Sequence, residues 1–431
     1  GAGMLMFSND PIQSRRKWSG HFAALAYSDF EKLWIASFTA GAAAWALIVA
    51  RGWLVYTISD SSLWVGAVTF AAMIPRAFVT PFSGYLADRF DRRSVLAVMF
   101  SLNIVHNLVL GLLVLMGHAE PWLLLVLALV NGSARAAQMP AAGALVPNLV
   151  PRRLLLNAIA LNQGAVQGSR LVGPAAIAPL VATIGIESAF FLCTGFYAIS
   201  LVQTLRIRTS STGEIDRRQS LTSNMAAGFV YMYRTPVLRS LVLLTLFHCG
   251  LTMSFESLLP VLSRQQLNAE GIGFTYIMMS VGAGSLLVVL LIAGVRGEAT
   301  KGRLFLYLGL VSGLTPAILG MATNLPMALI GAACMGASQA GYMTLTHTMI
   351  QTVTPDGIRG RVGGVYSVHI GGTMALANLA NGGLADLVDA QLVLLVAGAV
   401  FVGVMLVSTR DISLRRIYSS GLERLAPAAA D

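Results

Sequence analysis

The chain has 431 residues, of which 56% are hydrophobic and only 11% charged, where a soluble domain carries about 25% charge. That composition excludes a soluble globular domain. The formal net charge of +10 does not indicate a nucleic-acid partner, because the basic residues sit in short connectors beside apolar stretches, where they act as topology signals.

Taken in chain order, the apolar stretches predict spans at about 33–57, 62–84, 94–116, 121–146, 157–183 and 186–206, then 237–262, 271–294, 303–322, 325–352, 362–384 and 389–409. Each is long enough to cross a bilayer as a helix. The in/out alternation of a barrel strand is absent, and a lipid-exposed span must satisfy its own backbone. The expectation is an all-α polytopic membrane protein with twelve transmembrane helices in two six-helix bundles. It divides into an N-terminal segment (1–32), an N-terminal bundle (33–206), a linker (207–236), a C-terminal bundle (237–409) and a tail (410–431). Within the linker Leu221, Met225, Phe229 and Met232 fall at helical spacing, which predicts an amphipathic helix on the membrane surface.

The connectors sort by charge. One set carries Arg15, Arg16, Lys17, Lys32, Arg89, Arg92, Arg93, Arg152, Arg153, Arg206 and Arg208, and continues through Arg359, Arg361, Arg410 and Arg415. The opposite set holds Asp60, Glu120, Glu187, Glu270, Asp386 and Asp389, with Arg264 its only arginine. The positive-inside rule then places both termini in the cytoplasm, and the absence of a secretory leader with short loops points to a bacterial inner membrane. Cys193, Cys249 and Cys334 fall inside spans and are expected to pack as small apolar residues.

The two halves repeat. Laying Asn131–Arg135 over Met335–Gln339 also lays Pro151 over Pro355. Parallel six-helix repeats are a transporter architecture.

Ionisable groups at bilayer depth are functional candidates by default. Arg76, Arg135 and Arg170 fall near mid-membrane and Arg51 in the outer third, all in the first half. Glu256 is the buried acid, joined by His106, His248 and His369. Four guanidinium groups against one carboxylate favour an anionic or zwitterionic amphipath, because the planar fork of Arg binds carboxylate or phosphate bidentately. Arg51, Arg76, Asn131, Arg135, Arg170 and Gln339 are the candidate cavity residues. For Arg76, Arg135 and Arg170 the alternative is that they grip helix carbonyls and hold helices together. Arg51 and Glu256 are expected to face each other as an ion-paired gate, and Glu256 to carry a coupling proton with His248, two turns away, sharing it. For Glu256 the alternative is contact with the outer headgroups, and for His248 a packing role. No set of His, Cys and acids has metal-ligand spacing and no phosphate-binding Gly-Lys-Ser/Thr loop occurs, so neither a metal nor another cofactor is expected.

The loop after span two reads Gly84-Tyr85-Leu86-Ala87-Asp88-Arg89-Phe90-Asp91-Arg92-Arg93. It resembles the signature loop of the major facilitator superfamily, with Asp91 where a glycine is usual. The resemblance implies a latch in which Gly84, Asp88, Arg89, Arg92 and Arg93 meet the start of span eleven at Arg359 and Arg361. The corresponding second-half loop, Gly294–Glu298 with Lys301 and Arg303, keeps the charge types without the pattern. Gly168, Gly173 and Pro174 in span five resemble the Gly-Pro motif of superfamily antiporters. Pro140-Ala141, Leu149–Arg153, Asn157-Ala158, Leu258–Val261 and Arg359–Val362 are similar to a subgroup of drug and siderophore exporters.

The resemblance implies a proton-coupled exporter of an amphipathic small molecule, and the excess of arginine over acid at bilayer depth makes a siderophore, an acidic lipid or an acidic natural product the candidate substrates. An uncoupled facilitator, importer or lipid transporter of the same fold is the alternative, and a polytopic enzyme or scaffold the alternative of another class. The expected partners are the amphipathic substrate, protons and membrane lipids, around a monomeric carrier.

Overall fold

The computed structural model describes residues 20–80, 90–209, 221–293, 295 and 297–421. The motif residues Gly84, Asp88 and Arg89 lie outside that set. The described chain is helical: α1 (Ser28–Ser59), α2 (Ser62–Met73, continued to Thr80), α3 (Arg92–Leu115), α4 (Pro121–Leu145), α5 (Leu155–Thr183), α6 (Glu187–Leu205), α7 (Leu221–Arg234), α8 (Pro236–His248), α9 (Glu270–Ala293), α10 (Glu298–Gly320), α11 (Leu325–Val353), α12 (Asp356–Leu387), α13 (Ala390–Ser408) and α14 (Ile412–Ser420). Nine of the described helices are long and apolar enough to cross a membrane. Three further helices, α5, α11 and α12, have 29, 29 and 32 residues and carry interior polar groups, Arg170 on the first, Gln339 on the second and Asn378 on the third.

Local sequence starts and stops these helices. Ser61 caps α2 by accepting from the Trp64 amide, and Asn324 caps α11 by accepting from the Met327 amide at 2.9 Å, the usual work of an N-cap oxygen. Pro121 and Pro236 occupy first-turn positions of α4 and α8, where a missing N–H costs nothing. Asp60 closes α1 in the left-handed region at φ 48°.

In the first half α1 packs on α5 and α6, α3 on α4 and α6, and α2 on α4; in the second, α9 packs on α11, and α10 on α11 and α13. The halves meet mainly along two helix pairs, α2 with α12 and α5 with α9, and α1 also touches α9. These contacts are backbone-close. A Cβ on Gly66 of α2 would sit 2.6 Å from the Asn378 carbonyl oxygen, and one on Gly282 of α9 2.8 Å from the Arg170 carbonyl oxygen. Without a side chain at these points the helices approach closely, as membrane helices do where hydrophobicity supplies no drive. Side chains such as Val98, Leu102, Val105, Leu287, Leu290 and Val400 stand exposed on the outside, the surface a lipid phase would cover.

The repeat holds in three dimensions. A Cβ on Gly132 of α4 would strike the carbonyl of Ala72 on α2, and one on its repeat mate Gly336 of α11 would strike the carbonyl of Val281 on α9.

Two segments depart from expectation, the seventh span and the tail. The seventh span is not one helix: α8 passes into a π-turn at Cys249–Met253, leaves helical geometry at Ser254, and resumes as Leu259–Val261 and a second π-turn at Leu262–Gln266. The linker does form a helix, α7, at the expected residues, and it packs against α12, with Met232 fully buried and Gly228 against the Arg361 carbonyl. The tail contains α14, whose cap Asp411 accepts from Ser240 Oγ at 3.0 Å and from the Leu414 amide at 3.0 Å, and whose Tyr418 hydroxyl meets Ser408 Oγ at 2.7 Å.

Candidate functional site

The helix ends define two poles, one rich in Arg and one carrying Asp60, Glu120, Glu187 and Asp386. Between them a cavity of about 20 Å3, room for a single water, is lined by Ile48, Arg51, Thr69, Met73, Arg135 and Glu256 among others. It lies between the halves: α1, α2 and α4 supply all of its lining except Glu256, which comes from the break in the seventh span.

Arg51 is 4% exposed and donates from Nη1 to Asn131 Oδ1 at 3.4 Å. Asn131 Nδ2 donates to Asn103 Oδ1 at 2.7 Å, and Asn103 and Asn107 anchor along α3 through the carbonyls of Met99 and Asn103. A chain of amides thus fixes one face of the guanidinium and leaves the other toward the cavity. Arg135 is half-buried one helical turn from Asn131.

Glu256 is 6% exposed, and its Oε2 has no hydrogen-bond partner. Arg170, Arg135 and Arg51 all act on it electrostatically. Among the described residues no direct ion pair joins it to Arg51. The expected Arg51–Glu256 pair is therefore corrected: Asn131 holds the guanidinium, and the two charges share a cavity instead of a bond.

The break that presents Glu256 is held by side chains from two other helices. Gln339 of α11 donates from Nε2 to the Thr252 carbonyl at 2.6 Å. Asn381 of α12 donates from Nδ2 to the Ser254 carbonyl at 2.5 Å, and Asn378 Oδ1 accepts from the Ser257 amide at 3.3 Å. Backbone groups freed from a helix in lipid must find such partners, and an interrupted helix near the midplane is a recurrent way to build a transport site. Gln339, expected in the cavity wall, instead serves this break and is fully buried.

His248 is also placed differently. Its Nε2 meets Ser312 Oγ at 2.7 Å, and its ring lies tilted against Tyr342 and Phe401 at centroid distances of 4.4 and 5.2 Å. The π-turn between His248 and Glu256 destroys the helical register on which a shared proton depended. His248 packs the core of the second half and does not reach the cavity.

Arg170 faces α9: Nη1 donates to Ser285 Oγ at 3.3 Å, and its guanidinium lies 4.7 Å over the Trp45 ring. This is the helix-holding alternative, with a cation–π contact added. Arg76, half-buried on α2, lays its stem against Gly371 of α12. Gly173 lets α5 approach the Ala42 carbonyl of α1, a Cβ added at Gly168 would sit 3.5 Å from the Phe38 ring, and Pro174 lies within α5.

At the Arg-rich pole Arg92 Nη1 donates to the Ala144 carbonyl at 2.7 Å and Arg93 Nη2 to the Leu205 carbonyl at 2.9 Å. Both close the ends of α4 and α6 in their own half, where a cation also suits the helix dipole. Arg359 donates to the carbonyls of Gln351 and Thr354, and Arg361 lies under α7.

At the acidic pole the halves are tied together. Asp386, at the end of α12, accepts from Ser61 Oγ at 2.5 Å, from the Ser62 amide at 2.7 Å and from the Leu63 amide at 3.0 Å. It thereby caps α2 from the opposite half. Arg264 pairs with Asp60 at 3.2 Å, and Gln265 donates to the Tyr56 hydroxyl at 3.3 Å. One apolar cluster runs from the first-half helices into Phe255, Leu258, Leu262, Phe274 and Ile277, whereas the second cluster contains second-half residues. The acidic pole is closed.

Sequence reasoning missed Asn103, Asn378, Asn381, Trp45 and Ser285. It noted Asp386 only as an acid. The available signal was the amides: Asn103 with Asn107, and Asn378 with Asn381, are polar pairs one turn apart inside membrane-length helices.

A family model described as "transmembrane secretion effector" matches residues 19–426. The chain is 27% identical to the multidrug efflux pump Tap of Mycolicibacterium fortuitum over 81% of its length and 88% of that protein. It is 27% identical to the enterobactin exporter EntS of Shigella boydii serotype 18 over 66% of its length and 68% of that protein. Its fold matches the crystal structure of the nucleoside transporter NupG with a TM-score of 0.72 at 11% identity, covering 89% of this chain and 98% of that one.

Proposed function

We propose that this chain, which belongs to the transmembrane secretion effector family, exports an anionic amphipathic small molecule by alternating access, with protons entering the cycle at Glu256. It is a multi-pass membrane transporter of the major facilitator superfamily and not an enzyme. The finer reading is ours. The direction rests on relatives named for efflux and export. The bacterial inner membrane rests on the same relatives, and the cytoplasmic placement of the Arg-rich pole on the positive-inside rule.

The observation that carries the substrate class is the cavity: Arg51 and Arg135 line it with one carboxylate, Glu256. A cationic ligand entering there meets two guanidinium groups and a single acid. An anion meets fork-shaped donors already oriented by the Asn103–Asn131 relay, an arrangement suited to carboxylate, sulfonate or phosphate. With the acidic pole closed the cavity holds a single water, so an amphipath would be taken up only as the halves part; Ile48, Val55, Val65 and Val68 of the lining would then meet its hydrocarbon portion.

Arg135→Ala tests this reading in proteoliposomes holding the full chain. Efflux of an anionic dye, anilinonaphthalene sulfonate, is expected to fall by about tenfold, the effect of removing roughly 1.4 kcal/mol of binding. Efflux of a cationic dye, ethidium, is not expected to fall with it. Equal loss of both, or an unchanged anion flux, rejects the reading. Imposing a pH gradient on the wild-type vesicles separates proton coupling from facilitation: a flux that ignores the gradient rejects the coupling.

A further inference from the structure

The closed acidic pole and the Glu256 cavity are connected by one face of α12. Asp386 at its end caps α2. Two turns back, Asn378 lies in the α2–α12 contact: its carbonyl abuts Gly66, and its Nδ2 points at Met73 Sδ at 3.8 Å. The same Asn378 side chain accepts from the Ser257 amide, next to Glu256, while Asn381 holds the Ser254 carbonyl. Asn378 is fully buried. One side chain therefore touches the interface that must move between halves and the irregular backbone that aims the cavity acid.

We infer that Asn378 and Asn381 are positioning residues that carry the state of the Asp386 latch to Glu256. In alternating access the α2–α12 contact must shift when the acidic pole opens. A continuous helix keeps Asp386, Asn381 and Asn378 in fixed relation, so a shift of α12 against α2 moves the two amides relative to α8. The broken segment Ser254–Ser257 lies outside regular helix, restrained locally by a turn bond from the Leu258 amide to the Phe255 carbonyl and by Ser254 Oγ on the Cys249 carbonyl, and otherwise follows the amides that hold it. The packed α1, α2 and α4 walls carry Arg51 and Arg135, and Asn131 holds Arg51 in place. Opening the pole thus changes the distance between the acid and the guanidinium groups without moving the latter. The device is a two-state element biased from two ends, which is what coupling between sites requires. The inference rests on the reading of Glu256 as the cavity acid, but its test involves no substrate and stands apart from the anion preference.

The experiment uses the full chain in lipid nanodiscs with Cys334→Ser; Cys193 and Cys249 are fully buried. Spin labels at Met116→Cys and Met321→Cys, exposed positions at the acidic ends of α3 and α10, report the opening of the pole. Hydrogen–deuterium exchange of the 249–266 peptide reports the break. Asp386→Ala is expected to lengthen the label distance and to speed exchange in that peptide by on the order of tenfold, the size of a typical coupling. In an Asn378→Ala/Asn381→Ala background the peptide exchanges fast from the start. There, Asp386→Ala still lengthens the label distance but adds less than about twofold to exchange. Asn378→Asp, which keeps the acceptor for Ser257, is expected to restore part of the response. An unchanged label distance in the double-alanine chain shows that it folds; a changed distance there assigns the amides to holding the fold and overturns the inference. It is overturned equally if Asp386→Ala speeds exchange as much without the amides as with them, or if Asp386→Ala leaves the pole closed.

Discussion

Glu256→Gln is expected to abolish the pH dependence of substrate binding and to make anion binding tight at every pH. Glu256 is the carboxylate of a cavity otherwise lined by Arg51 and Arg135, with Arg170 within electrostatic reach. Protonating it adds one positive charge to that cavity, so an anion binds more tightly as pH falls. By linkage a bound anion favours the proton in return. Glutamine holds the shape and removes the charge, which fixes the cavity in the equivalent of its protonated state. The affinity for anilinonaphthalene sulfonate should then match that of the wild type at low pH, and exceed the wild type at high pH by about 5–150-fold, the span of ordinary coupling free energies. The response of flux to an imposed pH gradient should disappear with it. His248 is the imidazole nearest to Glu256 in the sequence, but it is sealed among Ser312, Tyr342 and Phe401. Replacing His248 by Gln should leave the pH profile of binding in place. Fluorescence titration of the three proteins across pH checks both statements. A Glu256→Gln chain that keeps the wild-type profile removes Glu256 from the coupling role.

Gly132→Val and Gly336→Val are expected to destabilise the protein to a similar degree although they lie in opposite halves. Each glycine lets one helix press on the backbone of its neighbour: α4 on Ala72 of α2, and α11 on Val281 of α9. Neither carbonyl can yield as a flexible side chain would. Overpacking of this kind costs about 1–3 kcal/mol and sometimes more. Gly143→Val on α4 is the control, since no atom lies within 4 Å of its added Cβ. Thermal unfolding of the solubilised chains should show two lowered midpoints and one near the wild type. A Gly336→Val protein as stable as the control contradicts the close α9–α11 contact and weakens the case that the halves are built alike.

Much of this was legible in the sequence because membrane helices advertise themselves by length and composition. The repeat was visible as Asn131–Arg135 over Met335–Gln339, and the structure gives its meaning: Gly132 and Gly336 do the same job. Arg51, Arg135 and Glu256 were singled out by depth alone, and the fold brings all three to one cavity. What failed was geometry that depends on distant partners. The run from Pro236 to Gln266 is apolar enough to read as one helix, and nothing local marks Ser254 as a break. The break exists because Gln339, Asn378 and Asn381 satisfy its backbone, and those residues arrive from helices about a hundred positions away. The proposed sharing of a proton between His248 and Glu256 assumed an unbroken register and fell with it. The Arg51–Glu256 pair was a sound match of charge and depth, but Asn131 was the nearer partner. Asp386 looked like a topology signal until α12 placed it over the exposed amides at the start of α2.

The central claim is that the cavity between the halves selects anions. Counterflow measures it most directly: proteoliposomes containing the full chain, preloaded with unlabelled dye, are supplied with trace external dye, and accumulation is followed for anilinonaphthalene sulfonate and for ethidium in parallel. Transient accumulation of the anion is expected, lost in Arg51→Ala and Arg135→Ala, with no comparable accumulation of the cation. Accumulation of ethidium in preference to the anion, undiminished when either arginine is removed, would contradict it.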